Sequence, residues 1–133
     1  MPSVLLDTGP LVALFKQNDT HYVRAKSWFR SQRGPLLTTH AVLTEAWHLL
    51  STPARLPMAR FANVACEICE FDGDGQARIL SVLERYADLP MDYADATLVV
   101  LAETRKINFV STIDVRDFSV YRLANGRSLQ LVF

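Results

Sequence analysis

Between Met91 and Glu103 the chain reads MDYADATLVVLAE, and from Ala96 to Ala102 the stretch has almost no polar side. A helix that is apolar all round must lie inside the protein, packed on every flank. That condition rules out a surface helix and calls for a fold with layers on both sides of it. Asp92 and Asp95, at i and i+3, nevertheless share one face at its N-terminal end. Carboxylates are rarely buried unless they are paired or bound to something. Asp92 reads as the helix cap and Asp95 as a first-turn acid favoured by the helix dipole. The alternative is that both face a site, which requires other acids of the chain to converge on them.

The rest of the chain supplies the layers. Val4-Leu5-Leu6 predicts a short buried strand ended by Asp7-Thr8-Gly9-Pro10, with Pro10 opening a first helix through Phe15. Asn18-Asp19-Thr20 predicts a turn and cap before a second helix with Tyr22, Val23, Ala25, Trp28 and Phe29 inward. Leu36-Leu37-Thr38 predicts a second strand, Thr39 the cap of a third helix, and Ala54 to about Cys69 a fourth. Glu70-Phe71-Asp72 reads as strand-like, and Gln76 to Tyr86 as an amphipathic helix. After the apolar helix come a buried strand at Ile107–Val110, a small turn at Val115–Phe118, and two short strands at Val120–Arg122 and Leu129–Val132. Short strands alternating with helices predict an α/β domain with a mainly parallel central sheet covered on both faces. No linker, repeat or low-complexity segment divides residues 1–133, so one domain is expected.

Composition narrows the function. Fourteen basic residues balance fourteen acidic ones, which argues against binding nucleic acid through bulk positive charge. A nucleic-acid enzyme relying on a bound metal and a local basic patch remains open. The longest apolar run, Leu98–Ala102, is far too short to span a bilayer. The start, Met1-Pro2-Ser3, carries no basic leader, so no membrane association and a cytoplasmic location are expected. Cys66 and Cys69 form a C-x-x-C, but they fall late in a helical pattern rather than opening a helix after a strand. They read as two small hydrophobes rather than a redox or zinc motif.

Functional residues of open α/β sheets gather beyond the carboxyl ends of the strands. Asp7 and Asp114 each follow a buried strand. Asp95 begins the helix feeding the strand before Asp114, and Glu45 lies on the apolar side of the third helix, one turn from Val42 and Leu49. Each has an ordinary explanation: an N-cap for Asp7, a first-turn acid for Asp95, an Asx turn for Asp114, a buried Arg partner for Glu45. Four acids from four segments with a route to one pocket are harder to dismiss together. If they converge, mutual repulsion demands a cation. An all-oxygen set without His or Cys selects Mg²⁺ or Mn²⁺, and such sites act on phosphates. His21, His40 and His48 form no zinc pattern.

At these residues the chain resembles a PIN-domain protein, most closely the toxin ribonucleases of type II toxin–antitoxin pairs, the VapC type. The likeness rests on LLDTGPL at Leu5–Leu11, TEAWHLL around Glu45, MDYADATLV at Met91–Val99 and STIDVRDF at Ser111–Phe118, in that order and spacing. It implies a three-layer α/β/α fold and a Mg²⁺- or Mn²⁺-dependent endoribonuclease that hydrolyses RNA phosphodiesters to a 5′-phosphate and a 3′-hydroxyl. It implies Asp7, Glu45, Asp95 and Asp114 as the metal-binding, catalytic quartet, supported by the hydroxyls of Thr8 and Thr112. Asp92 then reads as a cap or outer residue and Asp117 as a turn residue. A homodimer and a small antitoxin partner are further implications. Arg24, Lys26, Arg30 and Arg33 recur along one helix and read either as a grip on RNA or as a solvated face. Two rivals stand beside this reading. A haloacid-dehalogenase-type phosphatase lacks its second Asp after Asp7-Thr8-Gly9, and a receiver domain would need a lysine better placed than Lys106. A non-catalytic PIN-like domain that binds RNA or protein would carry the same acids and cut nothing.

Overall fold

The computed structural model describes residues 1–133. Five short strands, β1 (Val4–Leu6), β2 (Leu36–Thr39), β3 (Cys66–Cys69), β4 (Phe109–Ser111) and β5 (Gln130–Leu131), form one sheet in the order β3-β2-β1-β4-β5. Every pairing is parallel, with Val4 opposite both Leu36 and Phe109. Parallel neighbours need crossover helices, and seven helices supply them: α1 (Thr8–Leu14), α2 (Tyr22–Ser31), α3 (His40–Leu49), α4 (Thr52–Ala65), α5 (Gly73–Arg85), α6 (Tyr93–Arg105) and α7 (Val115–Val120). The sheet is flanked by helices on both faces in the α/β/α arrangement that the sequence predicts.

The apolar helix is α6, and its residues Ala94 to Ala102 are all buried. It packs on β1 and β2 beneath it and on α3 and α5 beside it. Each fully buried Val or Leu there is worth roughly 1.5–3 kcal/mol, so α6 is the element on which the core depends. The caps read from sequence are in place. Asp92 accepts a hydrogen bond from the Asp95 N–H at 2.8 Å, and Thr39 accepts one from the Val42 N–H at 3.3 Å. Asp19 accepts from the His21 N–H at 2.8 Å, just before α2.

Three expectations fail. The fourth helix stops at Ala65, and Cys66–Cys69 is the edge strand β3 instead of a last helical turn. The helix is real as far as Ala65, but its apolar spacing marks no buried face at that end: Val64, within α4, is 87 % exposed. Pairing with the buried strand β2 wins over periodicity that has no partner to pack against. Glu70-Phe71-Asp72 is consequently the link after β3, not a strand. The strand expected at Val120–Arg122 is also absent. Asp114 accepts a hydrogen bond from the Asp117 N–H at 3.1 Å and caps α7, which turns the segment through Val120 into helix. Arg122 keeps only an isolated antiparallel bridge to Ser128.

Candidate active site

The parallel sheet sends its strand ends to one edge, and the acids follow. Asp7 directly follows β1 at the N-cap position of α1, where its side chain makes no capping hydrogen bond and is left to the site, while its N–H donates to the Ser111 carbonyl at 3.0 Å, tying the ends of β1 and β4 together. Asp114 stands three residues beyond β4 at the start of α7, Asp92 and Asp95 open α6, and Glu45 sits midway along α3. Asp7, Glu45, Asp92, Asp95 and Asp114 line one cleft of about 490 Å³. The four acids that the sequence singles out therefore face a common space.

Each carboxylate is held by a hydroxyl or an amide. Thr112 Oγ1 donates to Asp7 Oδ2 at 2.7 Å and accepts from the Asp114 N–H at 2.9 Å, so one threonine fixes two acids. Thr8 Oγ1 donates to Glu45 Oε1 at 2.5 Å; Glu45 is half-buried on the cleft wall and has no arginine partner. Tyr121 donates its phenolic O–H to Asp95 Oδ2 at 2.8 Å.

Asp7 is 6 % exposed and Asp95 5 %. Burial pushes the Asp7 carboxyl up to about 6, against the hydrogen bonds from Thr112 and the Thr8 backbone, with the charges of Glu45 and Asp92 adding to the rise. Asp95 is raised further for the same first cause, with Tyr121 opposing it and the Asp92 and Asp7 charges reinforcing it. These acids feel one another, and a site crowded with them lacks positive charge.

Asp95, Asp114 and Asp117 each offer a carboxylate oxygen, all within 4.8 Å of one another. Oxygen ligands bind Mg²⁺ or Ca²⁺-sized ions at about 2.0–2.6 Å, so three donors on opposite sides of one ion span about that distance. The donor set therefore fits a hard divalent cation. Asp117 has the turn role that its sequence position suggests, its N–H closing the α7 turn, and its carboxyl also stands in this trio. A signal for it exists, because Asp114-x-x-Asp117 repeats the spacing of Asp92-x-x-Asp95. Tyr121 has no such signal, since the sequence pattern places it within a strand.

The cysteines lie elsewhere. Both are free thiols on β3, and burial pushes each up to about 11, which keeps them protonated near neutral pH. A separate cleft of about 790 Å³ runs along β3, where Arg105 pairs with Glu67 at 2.7 Å. It holds none of the four acids.

Compared with known families, residues 4–123 match the PIN-domain model. The chain belongs to the PIN-domain family. Among curated relatives, this PIN domain is 26 % identical over 128 residues to Ribonuclease VapC26 of Mycobacterium tuberculosis, covering 92 % of the chain and 95 % of the relative. A 101-residue stretch is 32 % identical to a polyphosphate kinase of an Exiguobacterium species, but spans only 13 % of that enzyme. In structure, the PIN domain is similar to VapC20 of Mycobacterium tuberculosis, a sarcin–ricin-loop-cleaving toxin. The TM-score is 0.78 and the identity 21 %, covering 85 % of this chain and 91 % of that one. It also resembles VapBC2 of Rickettsia felis, solved on a DNA fragment from its promoter, with a TM-score of 0.63, 13 % identity, and 98 % and 97 % coverage. The likeness to VapC-type members read from the motifs is thus found in whole-chain comparison.

Proposed function

We propose that this PIN domain is a metal-dependent endoribonuclease that hydrolyses RNA phosphodiester bonds and acts as the toxin of a type II toxin–antitoxin pair. The observation that carries this reading is the meeting of Asp7, Glu45, Asp95 and Asp114, from four separate segments, on one cleft. The whole-length likeness to VapC26, named a ribonuclease, supports the substrate class. Asp95, Asp114 and Asp117 bring their oxygens close enough to share one ion, and with Asp7 and Glu45, which line the same cleft but lie outside that trio, they are the residues that would hold Mg²⁺ or Mn²⁺. The ion supplies the positive charge that lets neighbouring carboxylates ionise together, and Lewis-acid stabilisation of charge on the phosphate. The chain's own part is to orient and to exclude. Thr112, Thr8 and Tyr121 fix the oxygens of Asp7, Glu45 and Asp95, and burial keeps bulk water from two of them. In the overall reaction water attacks phosphorus, the 3′-oxygen leaves and takes a proton, and the products are a 5′-phosphate and a 3′-hydroxyl.

A small antitoxin protein is the proposed partner, supported by the likeness to the VapBC2 structure and by apolar surface near the cleft. Leu49, on the cleft wall, is 58 % exposed, and Trp47, two residues before it on α3, is exposed as well. A homodimer and a cytoplasmic location belong to the same reading; no helix is long and apolar enough to cross a membrane.

The test compares wild type with Asp7→Asn and Asp95→Asn on structured and single-stranded RNAs, in Mg²⁺, Mn²⁺ or EDTA, after both variants are shown to fold. Metal-dependent cutting that both substitutions abolish is the expected result. Cutting that persists in the variants removes these acids from the site. Absence of cutting in every sample, with Mn²⁺ still raising the wild-type melting temperature, would favour a metal-bound binding domain instead.

A further inference from the structure

The cleft presents a difficulty for any polyanion. Six carboxylates line it, Asp7, Asp19, Glu45, Asp92, Asp95 and Asp114, against only Lys16 and His21. Most of the affinity of a protein for a nucleic-acid strand comes from cations placed on its phosphates, and this cleft cannot supply them. The charge lies next door. His21, on the cleft wall, is followed at once by α2, which has ten residues and is about 15 Å long. A furrow of about 490 Å³ on this helix is lined by Tyr22, Lys26, Arg30 and Arg33, with the small Ser27 and Ser31 leaving room between them, and has no acidic residue.

Tyr22, Lys26 and Arg30 follow one another at i+4 and make a single stripe. The Lys26 ammonium lies 5.3 Å from the centre of the Tyr22 ring. Arg33 folds back to donate to the Arg30 carbonyl at 2.7 Å, placing its guanidinium over the last turn. The ion pairs of the chain are His40–Glu70, Arg85–Glu103 and Arg105–Glu67; Lys26, Arg30 and Arg33 have no carboxylate partner. Arg24, grouped with them on sequence grounds, is otherwise engaged. It stacks 4.4 Å from the Phe133 ring and donates to the Phe133 carbonyl, so it is not part of the furrow.

We propose that this furrow is the track on which a single-stranded stretch of RNA lies as it leaves the cleft. Lys26, Arg30 and Arg33 take successive phosphates, and Tyr22 offers a ring to a base near the cleft mouth. The proposal rests on the nuclease reading for the direction of the track. Unpaired cations in line with an aromatic, on the helix that follows directly from His21 of the cleft wall, are what sequence-tolerant strand binding uses.

The test measures binding of a labelled twenty-nucleotide oligouridine to the full chain in EDTA, where no cutting occurs, across a salt series. Wild type is compared with the double variant Lys26→Glu/Arg30→Glu, the milder Lys26→Gln/Arg30→Gln, and a charge-matched control, Arg60→Glu/Arg127→Glu, outside the furrow. Both furrow variants are expected to weaken binding, the reversal ~10-fold or more, and to lower the salt slope by about 0.7 for each phosphate no longer neutralised. The control should bind as wild type does. Equal weakening in control and reversal, wild-type binding by both furrow variants, or no binding by wild type, each overturns the proposal. So does a polyglutamate peptide that competes as well as RNA, which would assign the furrow to an acidic protein. Cutting of the same RNA in Mn²⁺ is read in parallel. Intact cutting with unaltered binding by the furrow variants removes the track and leaves the nuclease. Weakened binding by those variants without any wild-type cutting does the reverse.

Discussion

Burial raises the Asp95 carboxyl far above the ordinary carboxylate range, and the hydrogen bond that opposes this comes from Tyr121. The phenol stabilises the ionised form that a metal ligand must adopt. Tyr121 is itself wedged between Tyr86 and Phe118, with ring centroids 5.2 Å from each, and phenylalanine would keep that stacking. Tyr121→Phe therefore removes one donor and little packing. It should cost about 1–2 kcal/mol of stability and push Asp95 higher still. The acid limb of the pH–activity profile then moves to higher pH, and more Mn²⁺ is needed for half-maximal cutting. A profile identical to wild type would exclude Tyr121 from the site. This residue is not legible in the sequence because its role depends on where α7 ends. The helix stops at Val120, so Tyr121 turns inward rather than alternating along a strand. Asp7, Glu45 and Asp114 are legible, because strand-to-helix junctions and an acid on an apolar helix face are written in the sequence itself.

At the scale of elements, the site joins the starts of α1, α6 and α7 to the middle of α3, held in register by the sheet. Gly9 shows how closely α1 and the β4–α7 link approach. A Cβ at Gly9 would stand 3.0–3.2 Å from Cδ1, Cβ and Cγ1 of Ile113, the residue before Asp114. Gly9→Ala should press Ile113 and the Asp114 turn away from Asp7. The atoms met include the Cβ of a β-branched side chain, which moves only with its backbone, so the stability change should be about 1–3 kcal/mol, the usual cost of overpacking. Activity should fall more steeply than stability predicts, since the displaced segment carries Asp114. Melting temperature and turnover measured on the same preparation separate the two effects; a parallel fall in both would mean that the approach is only structural. The order of elements is readable because buried strands, caps and breakers recur regularly. The C-terminal end of the expected fourth helix is not, because a short run such as Cys66–Cys69 satisfies both periodicities and only the free edge of β2 decides between them.

For the whole molecule, the buried acids link folding to pH and to metal. Asp7 titrates at about 6 in the fold instead of near 3.8, Asp95 is raised more, and Asp117 is raised as well. The folded chain thus binds more protons than the unfolded one between the ordinary aspartate range and these raised values. Stability then falls as pH rises, with slope set by the difference in bound protons. The contribution of Asp7 is fully present below about 3.8 and is lost as pH climbs through about 6; that of Asp95 disappears over a wider span above it. Glu67 acts in the opposite sense, since Arg105 lowers its pKa, but only in acid, below its ordinary value of 4.5. In EDTA the melting temperature should therefore decline from about pH 5.5 to about pH 8. A divalent cation needs the ionised ligands and releases their protons on binding, so the rise in melting temperature produced by Mn²⁺ should grow over the same interval. Asp95→Asn removes a buried charge, so in EDTA at about pH 8 it should melt above wild type, while the Mn²⁺ increment shrinks or vanishes. Scanning calorimetry of both proteins across pH, with and without Mn²⁺, reads all three quantities. A metal-free stability that is flat or rising towards the alkaline end would mean that the carboxyls are already ionised and satisfied without a cation, and the metal-site reading would lose its electrostatic basis.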